Sequence, residues 1–239
     1  MRTTIPKKAP VLLLASVLMV GASASAATIY DNSVNDRTNR FGPTTQFGDE
    51  IIFAGSERFL TNFSFEYWAL NNGTTNAGGF SPTVSVRLRF YLNDGLPLFN
   101  GYAPPGSVFY DNTFSITTPT FRNTLVYTAG ADFPAGGLFM PVASNMTWTV
   151  QFSGLDADDS AGLDVYDPPV VGTSPAQLNN RIDDYWEFSG GSWALKTNIV
   201  DMNFAARFDA VPEPSTVVFG VLGGLGLLVV GRRYIKISK

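Results

Sequence analysis

Residues 83–93, TVSVRLRFYLN, show the clearest alternation of apolar and polar side chains in this chain of 239 residues. The apolar positions are Val84, Val86, Leu88, Phe90 and Leu92, and the polar positions are Ser85, Arg87, Arg89, Tyr91 and Asn93. Successive side chains of a β-strand point to opposite faces, so this pattern predicts a strand with one buried face. A strand of this kind needs a second layer to cover its apolar side.

Similar short segments lie on both sides of this stretch, separated by turn residues. The predicted strands are residues 28–30, 50–54, 58–70, 108–116, 121–128, 145–152, 185–188, 192–195 and 201–211. Residues 31–40, 94–106 and the acidic run after residue 153 are expected to be loops. Between the two ends of the chain no helical period is sustained. The pattern therefore predicts an all-β fold, an antiparallel β-sandwich that is jelly-roll-like, followed by one C-terminal transmembrane helix.

The N-terminal end has the features of a signal peptide. Basic residues (Arg2, Lys7 and Lys8) precede an apolar run at residues 11–20, and Ala24 and Ala26 form an A-x-A cleavage motif. We therefore expect residues 1–26 to be a signal peptide and residues 27–211 to be the exported β-sandwich domain.

The C-terminal end, residues 212–239, reads as a membrane-inserted tail. Residues 215–231 carry no charge and would span about 25 Å as a helix, close to the ~30 Å hydrocarbon core of a bilayer. The basic end, residues 232–239, contains Arg232, Arg233, Lys236 and Lys239. Positive charge on this side alone predicts that the C-terminus stays in the cytoplasm and that the domain lies outside.

Pro212, Glu213 and Pro214 precede the apolar span, and two prolines hold this segment extended and unable to join a sheet. The order of this triplet, a Gly-rich apolar helix and the pair Arg232 and Arg233 resembles the PEP-CTERM sorting signal of Gram-negative bacteria. The resemblance covers about a tenth of the chain. It implies that an exosortase, a membrane-embedded processing enzyme, recognises the triplet and removes the tail. In contrast to tails that stop at the arginines, this one continues for six residues.

Charge and composition limit the function classes. The whole chain has a net charge of −4, but residues 27–211 hold nine basic and 19 acidic residues, a net charge of −10. Such a domain repels phosphate backbones, so nucleic acid is not an expected partner. Cysteine and histidine are absent, which excludes disulfides, Ser-His-Asp and Cys-His catalysis, and ordinary zinc sites.

One acidic stretch has the spacing of a calcium loop. Asp156, Asp158 and Ser160 place oxygen atoms at offsets 1, 3 and 5, and Asp164 falls at offset 9. However, Ala161 occupies offset 6, where an EF-hand calcium loop requires glycine. Ca²⁺ is therefore one interpretation, and a solvated acidic turn between strands is the other.

Four aromatic positions, Tyr67, Trp68, Trp186 and Trp193, are candidates for a polysaccharide-binding face, because flat and rigid rings suit stacking on sugars. Trp68 and Trp186 are the chosen candidates, since each neighbours a tyrosine of opposite strand parity and one of each pair should face outward. The alternative is that these rings belong to the core. Asp183 and Asp184 suggest a glycosidase, but adjacent residues on a strand point to opposite faces.

The sequence predicts an exported, non-catalytic protein, anchored in the membrane as a precursor and then located at the cell surface or in the extracellular matrix. Its expected partners are an exosortase-type enzyme and, before processing, the membrane. The first alternative is a module that binds exopolysaccharide, and a further alternative is a glycosidase.

Overall fold

The computed structural model describes residues 25–71, 79–80, 83–175, 184–197 and 202–213, and these form two antiparallel β-sheets. The strands are β1 (Ala27–Asp31), β2 (Asp36–Phe41), β3 (Gln46–Ile52), β4 (Phe59–Asn71), β5 (Val84–Tyr91), β6 (Val108–Ile116), β7 (Thr120–Thr128), β8 (Leu138–Phe139), β9 (Asn145–Ser153), β10 (Asp159–Tyr166), β11 (Asp184–Ser189), β12 (Ser192–Thr197) and β13 (Ala206–Val211). The predicted all-β class and antiparallel pairing are confirmed.

The first sheet, sheet A, is built around the long strand β4. One edge of β4 pairs with β13 along its first half and with β10 along its second half, and β8 and β7 pair with the opposite edge. β1 extends the sheet beyond β13, and β2 extends it beyond β10. Both edges of β4 are therefore paired with strands from distant parts of the chain.

The second sheet, sheet B, has the order β12-β11-β3-β9-β5-β6. The sheet contains β5, which lies within the alternating stretch of residues 83–93 that predicted the fold. Val84, Val86, Leu88 and Phe90 on β5 are fully buried, as their alternation predicts. Met146, Trp148, Val150 and Phe152 on the neighbouring β9 are buried in the same way.

Four pairings are nested within one another: β1 with β13, β3 with β11, β4 with β10, and β5 with β9. Early strands pair with late strands, and the pairing proceeds inward along the chain. Such contacts are distant in sequence, so the whole chain must assemble before the core closes.

Aromatic rings join the two sheets at the centre of the core. The ring of Phe63 on β4 lies 4.6 Å from Phe208 in its own sheet, and 5.0 Å from Phe90 and 5.7 Å from Trp148 in sheet B. All four side chains are fully buried. Because the chain has no cysteine, this apolar contact carries the stabilisation that disulfides supply in many exported domains.

The structure corrects two predicted loops. Residues 36–41 form β2, although their side chains are almost all exposed, and residues 159–166 form β10. Both were expected to be loops because they are polar or acidic. In the described part of the chain, no helix is long and apolar enough to cross a bilayer, and the predicted span at residues 215–231 lies outside that part.

Candidate functional site

The folded domain ends directly before the predicted sorting triplet. β13 pairs with β4 up to Val211, which lies opposite Phe59, and Pro212 and Glu213 follow without a linker. Pro214, Arg232 and Arg233 lie outside the described residues, as does Ala24 of the predicted cleavage motif, whereas Ala26 precedes β1. The triplet therefore begins where the main-chain pairing of the sheet ends.

The acidic stretch predicted to bind calcium divides into a turn and a strand. Asp156 accepts hydrogen bonds from the backbone amides of Asp158 and Asp159 at 2.9 and 3.1 Å, which closes a turn. β10 then begins at Asp159 and carries Ser160 and Asp164 into sheet A. Within the described residues, no group of three or more acidic side chains has a geometry that could hold a metal ion. The predicted loop of residues 156–164 is thus corrected, and the geometry gives calcium no support.

Asp164 instead lies beside Trp68 on the outer face of sheet A. Gly162 pairs with Trp68, and Asp164 pairs with Arg40 of β2. The guanidinium of Arg40 lies 5.9 Å from the Trp68 ring and 5.8 Å from the Phe121 ring. Asp164 and Trp68, which were predicted for different sites, therefore both lie next to Arg40.

Charged residues around Asp164 form what we call the arginine–carboxylate cluster, made of Asp36, Arg40, Glu66, Arg122 and Asp164. The Nε atom of Arg40 lies 3.5 Å from one oxygen of Asp164, and the Nε atom of Arg122 lies 3.8 Å from the other. Arg122 also lies 3.4 Å from Glu66 and 2.7 Å from Asp36. Asp164 is fully buried. Its burial raises the pKa to about 6, although the charges of Arg122 and Arg40 act in the opposite direction.

The cluster connects strands that share no backbone pairing. Arg40 donates a hydrogen bond to the carbonyl of Phe121 at 2.6 Å, and Arg122 donates to Asp36 at 2.7 Å, so β2 and β7 are joined across β10 and β4. The guanidinium groups of both arginines already have carboxylate partners. We therefore interpret the cluster as a structural link that stabilises the positions of β2 and β7, and not as an open binding site.

Trp186, the second predicted sugar contact, is fully buried, and this placement corrects the prediction. Tyr185 and Trp186 do lie on opposite faces, since Tyr185 joins the inner core whereas Trp186 lies opposite Leu195 and Gly48 on the other face. That outer face is covered, however. Phe99, from the loop between β5 and β6, packs edge-on against Trp186 at 5.8 Å. A sugar cannot stack on this ring without displacing the loop.

The same loop forms a concave surface with the β11–β12 hairpin, which we call the aromatic groove. Its volume is about 280 Å³. The lining residues are Gly95, Leu96, Pro97, Phe99, Pro104, Pro105, Gly106, Phe188, Gly191, Ser192 and Trp193. Trp193 is half-buried and Phe188 is 36% exposed. Unlike Trp186, both rings are open to solvent at this position.

Hydrogen bonds hold the loop in shape. Both carboxylate oxygens of Asp94 accept hydrogen bonds from Ser107, one from its amide at 2.6 Å and one from its hydroxyl at 2.7 Å. The amide of Gly95 donates to the carbonyl of Pro104 at 2.9 Å. The groove is therefore largely preformed.

Asp184 of the glycosidase hypothesis lies in a buried group of carboxyls in sheet B, whereas Asp183 lies outside the described residues. Asp184 is 4% exposed, and Asp49 on the neighbouring β3 is 2% exposed. Burial, followed by the negative charge of Asp184, raises the pKa of Asp49 well above its usual value. These carboxyls sit within the body of the protein and not in the groove.

Trp193 is one of the four aromatic candidates from the sequence, whereas Phe99 and Phe188 are not among them. The available signals were the prolines in the loop and the glycines of the hairpin, which mark two rigid connections. Nothing in the sequence indicated that these two connections meet. No protein-family model matches the chain, and comparisons with curated proteins and with solved structures found no match.

Proposed function

We propose that this chain is an exported, non-catalytic protein of the cell surface or extracellular matrix, delivered there by its PEP-CTERM-like tail. One observation carries this proposal: the last strand ends at Val211, and Pro212 and Glu213 follow immediately. An enzyme at the membrane surface would find the triplet outside the main-chain pairing of the sheet. The processing enzyme is of the exosortase type, and the precursor is held by a transmembrane helix at residues 215–231.

The sandwich is of the jelly-roll type in this proposal. The four nested pairings support it, because rolling one long hairpin into two sheets pairs the first strand with the last and proceeds inward.

Cell fractionation tests the proposed route. The full chain is compared with a variant that ends at Glu213 and therefore lacks the apolar span and the arginines. We expect the full chain in the envelope and in the medium, and the shortened variant only in the soluble exported fraction. If both proteins remain in the cytosol, or if their distributions are the same, the proposal is wrong.

A second candidate function is binding to a carbohydrate of the surrounding matrix. The observation that favours it is the aromatic groove, in which two solvent-accessible rings line a preformed concavity. The contact residues differ from those predicted, since Trp186 is covered and Trp68 lies under Arg40. No observation favours the glycosidase, and we do not propose it.

A further inference from the structure

We propose that the aromatic groove binds an uncharged polysaccharide, with the rings of Trp193 and Phe188 stacking on the sugar units. This inference rests on the second candidate function, carbohydrate binding, and narrows it to one site and one ligand class.

The two stacking rings are fixed by their neighbours. Trp193 packs edge-on against Tyr91 at 5.3 Å and lies 5.1 Å from Phe188 at an angle of 57°. Tyr91 is buried and accepts a hydrogen bond from Gln46 at 2.8 Å, so the base of this arrangement does not move freely. Rings held in this way lose little rotamer freedom when a ligand binds.

The walls of the groove are equally constrained. Pro104 and Pro105 are buried. Hydrogen bonds join the two ends of the loop in three pairs: Asp94 with Ser107, Gly95 with Pro104, and Gly106 with Leu92. A Cβ atom added to Gly95 would lie 2.7 Å from the carbonyl oxygen of Pro104, which shows how closely the two ends of the loop approach. A preformed concave site lowers the cost of ordering on binding.

Charge selects the ligand class. Among the described residues that line the groove none has an ionisable side chain, whereas residues 27–211 as a whole carry a net charge of −10. An anionic polysaccharide would be repelled by the domain and would find no cation among these lining residues. An uncharged sugar chain meets neither penalty.

The size of the groove suits a short portion of a sugar chain. Its volume of about 280 Å³ is just below the roughly 300–1,000 Å³ typical of small-ligand sites. Leu96 and Leu98, 82% and 55% exposed, lie on the same loop and extend the apolar surface available to the C–H faces of a sugar chain.

Affinity electrophoresis of the full chain in non-ionic detergent tests the proposal. Native gels contain an uncharged polysaccharide (mixed-linkage β-glucan, xyloglucan or dextran) or the anionic polysaccharide alginate. We expect at least one uncharged gel to retard the protein and alginate not to do so. Trp193→Ala and Phe188→Ala should each weaken the retardation about tenfold, as loss of one stacked ring predicts.

Trp68→Ala is the matched control, because Trp68 is a partly buried tryptophan on the outer face of the other sheet. It should bind as the wild type does. Thermal unfolding of each variant checks folding, and Phe188→Ala provides a variant at an already exposed position if Trp193→Ala does not fold.

Two results would overturn the inference alone: retardation by uncharged polysaccharide that persists in both groove variants, or retardation by alginate only. If no polysaccharide retards the protein, the second candidate function fails together with the inference. A third result is possible: the wild type binds no sugar but self-associates, and Leu96→Asp abolishes the self-association. This face would then be an interface between copies of the chain. None of these results affects the proposed export route.

Discussion

Individual carboxyl groups show how this acidic domain distributes its charge. Asp164 is buried but lies between two arginines, and its pKa is raised only to about 6. Asp49 is buried beside other carboxyls, and one of its oxygens has no hydrogen-bond partner among the described residues. No described residue places a cation beside Asp49, so its buried charge is the costlier of the two.

Replacing Asp49 with Asn should stabilise the fold at neutral pH. The pKa of Asp49 is raised in the folded state, so its contribution to stability is present below the unfolded pKa of about 3.9 and is lost as the pH rises through the folded-state value. Asn removes the charge and keeps the acceptor for the hydroxyl of Ser174. We expect a gain on the order of 1–3 kcal/mol in the free energy of unfolding at pH 8, shrinking towards pH 4.

Urea denaturation at several pH values measures this effect. Asp111→Asn is the control with the opposite sign, because the hydrogen bond from Arg87 lowers the pKa of Asp111. That variant should lose stability above about pH 4 and differ little from the wild type in acid. An Asp49→Asn variant that is less stable than the wild type at pH 8 would refute the interpretation.

At the scale of elements, the loop between β5 and β6 acts as a third layer. It covers the outer face of sheet B, where Phe99 packs on Trp186, and it also supplies one wall of the aromatic groove. The same segment thus removes one tryptophan from solvent and leaves another, Trp193, accessible.

Trp186→Ala should therefore destabilise the fold by about 3–5 kcal/mol, as truncation of a buried tryptophan does. Trp193→Ala should cost clearly less, because Trp193 is only half-buried. Urea denaturation of both variants at one pH gives the comparison. Equal losses would contradict the covering role of the loop.

Alternation predicted the elements whose two faces differ in polarity. β4, β5 and β9 were found close to their observed bounds, because an apolar inner face and a polar outer face leave a period of two. β2 has no buried face, and β10 begins in an acidic turn, so neither had such a period. The prediction that Trp186 contacts sugar was wrong for a related reason. Strand parity gives the face on which a side chain lies, but it does not show whether another segment covers that face.

The whole molecule combines an acidic domain that has no cysteine with two ends that are predicted, from the sequence, to direct export. Its core joins strands distant in sequence through aromatic contacts. The net charge of −10 on residues 27–211 is the ground for expecting no nucleic-acid partner. The candidate binding surface is small and uncharged. These features are the basis for the proposal that the domain is displayed outside the cell.

Removal of the C-terminal tail is the central claim, and intact-mass measurement tests it most directly. Protein is recovered from the cell envelope and from the medium, for the wild type and for Glu213→Ala. We predict that the wild-type mass in the medium lacks the residues that follow the triplet, and that Glu213→Ala keeps them and stays in the envelope. A wild-type protein that retains residues 215–239 in every compartment would contradict the account.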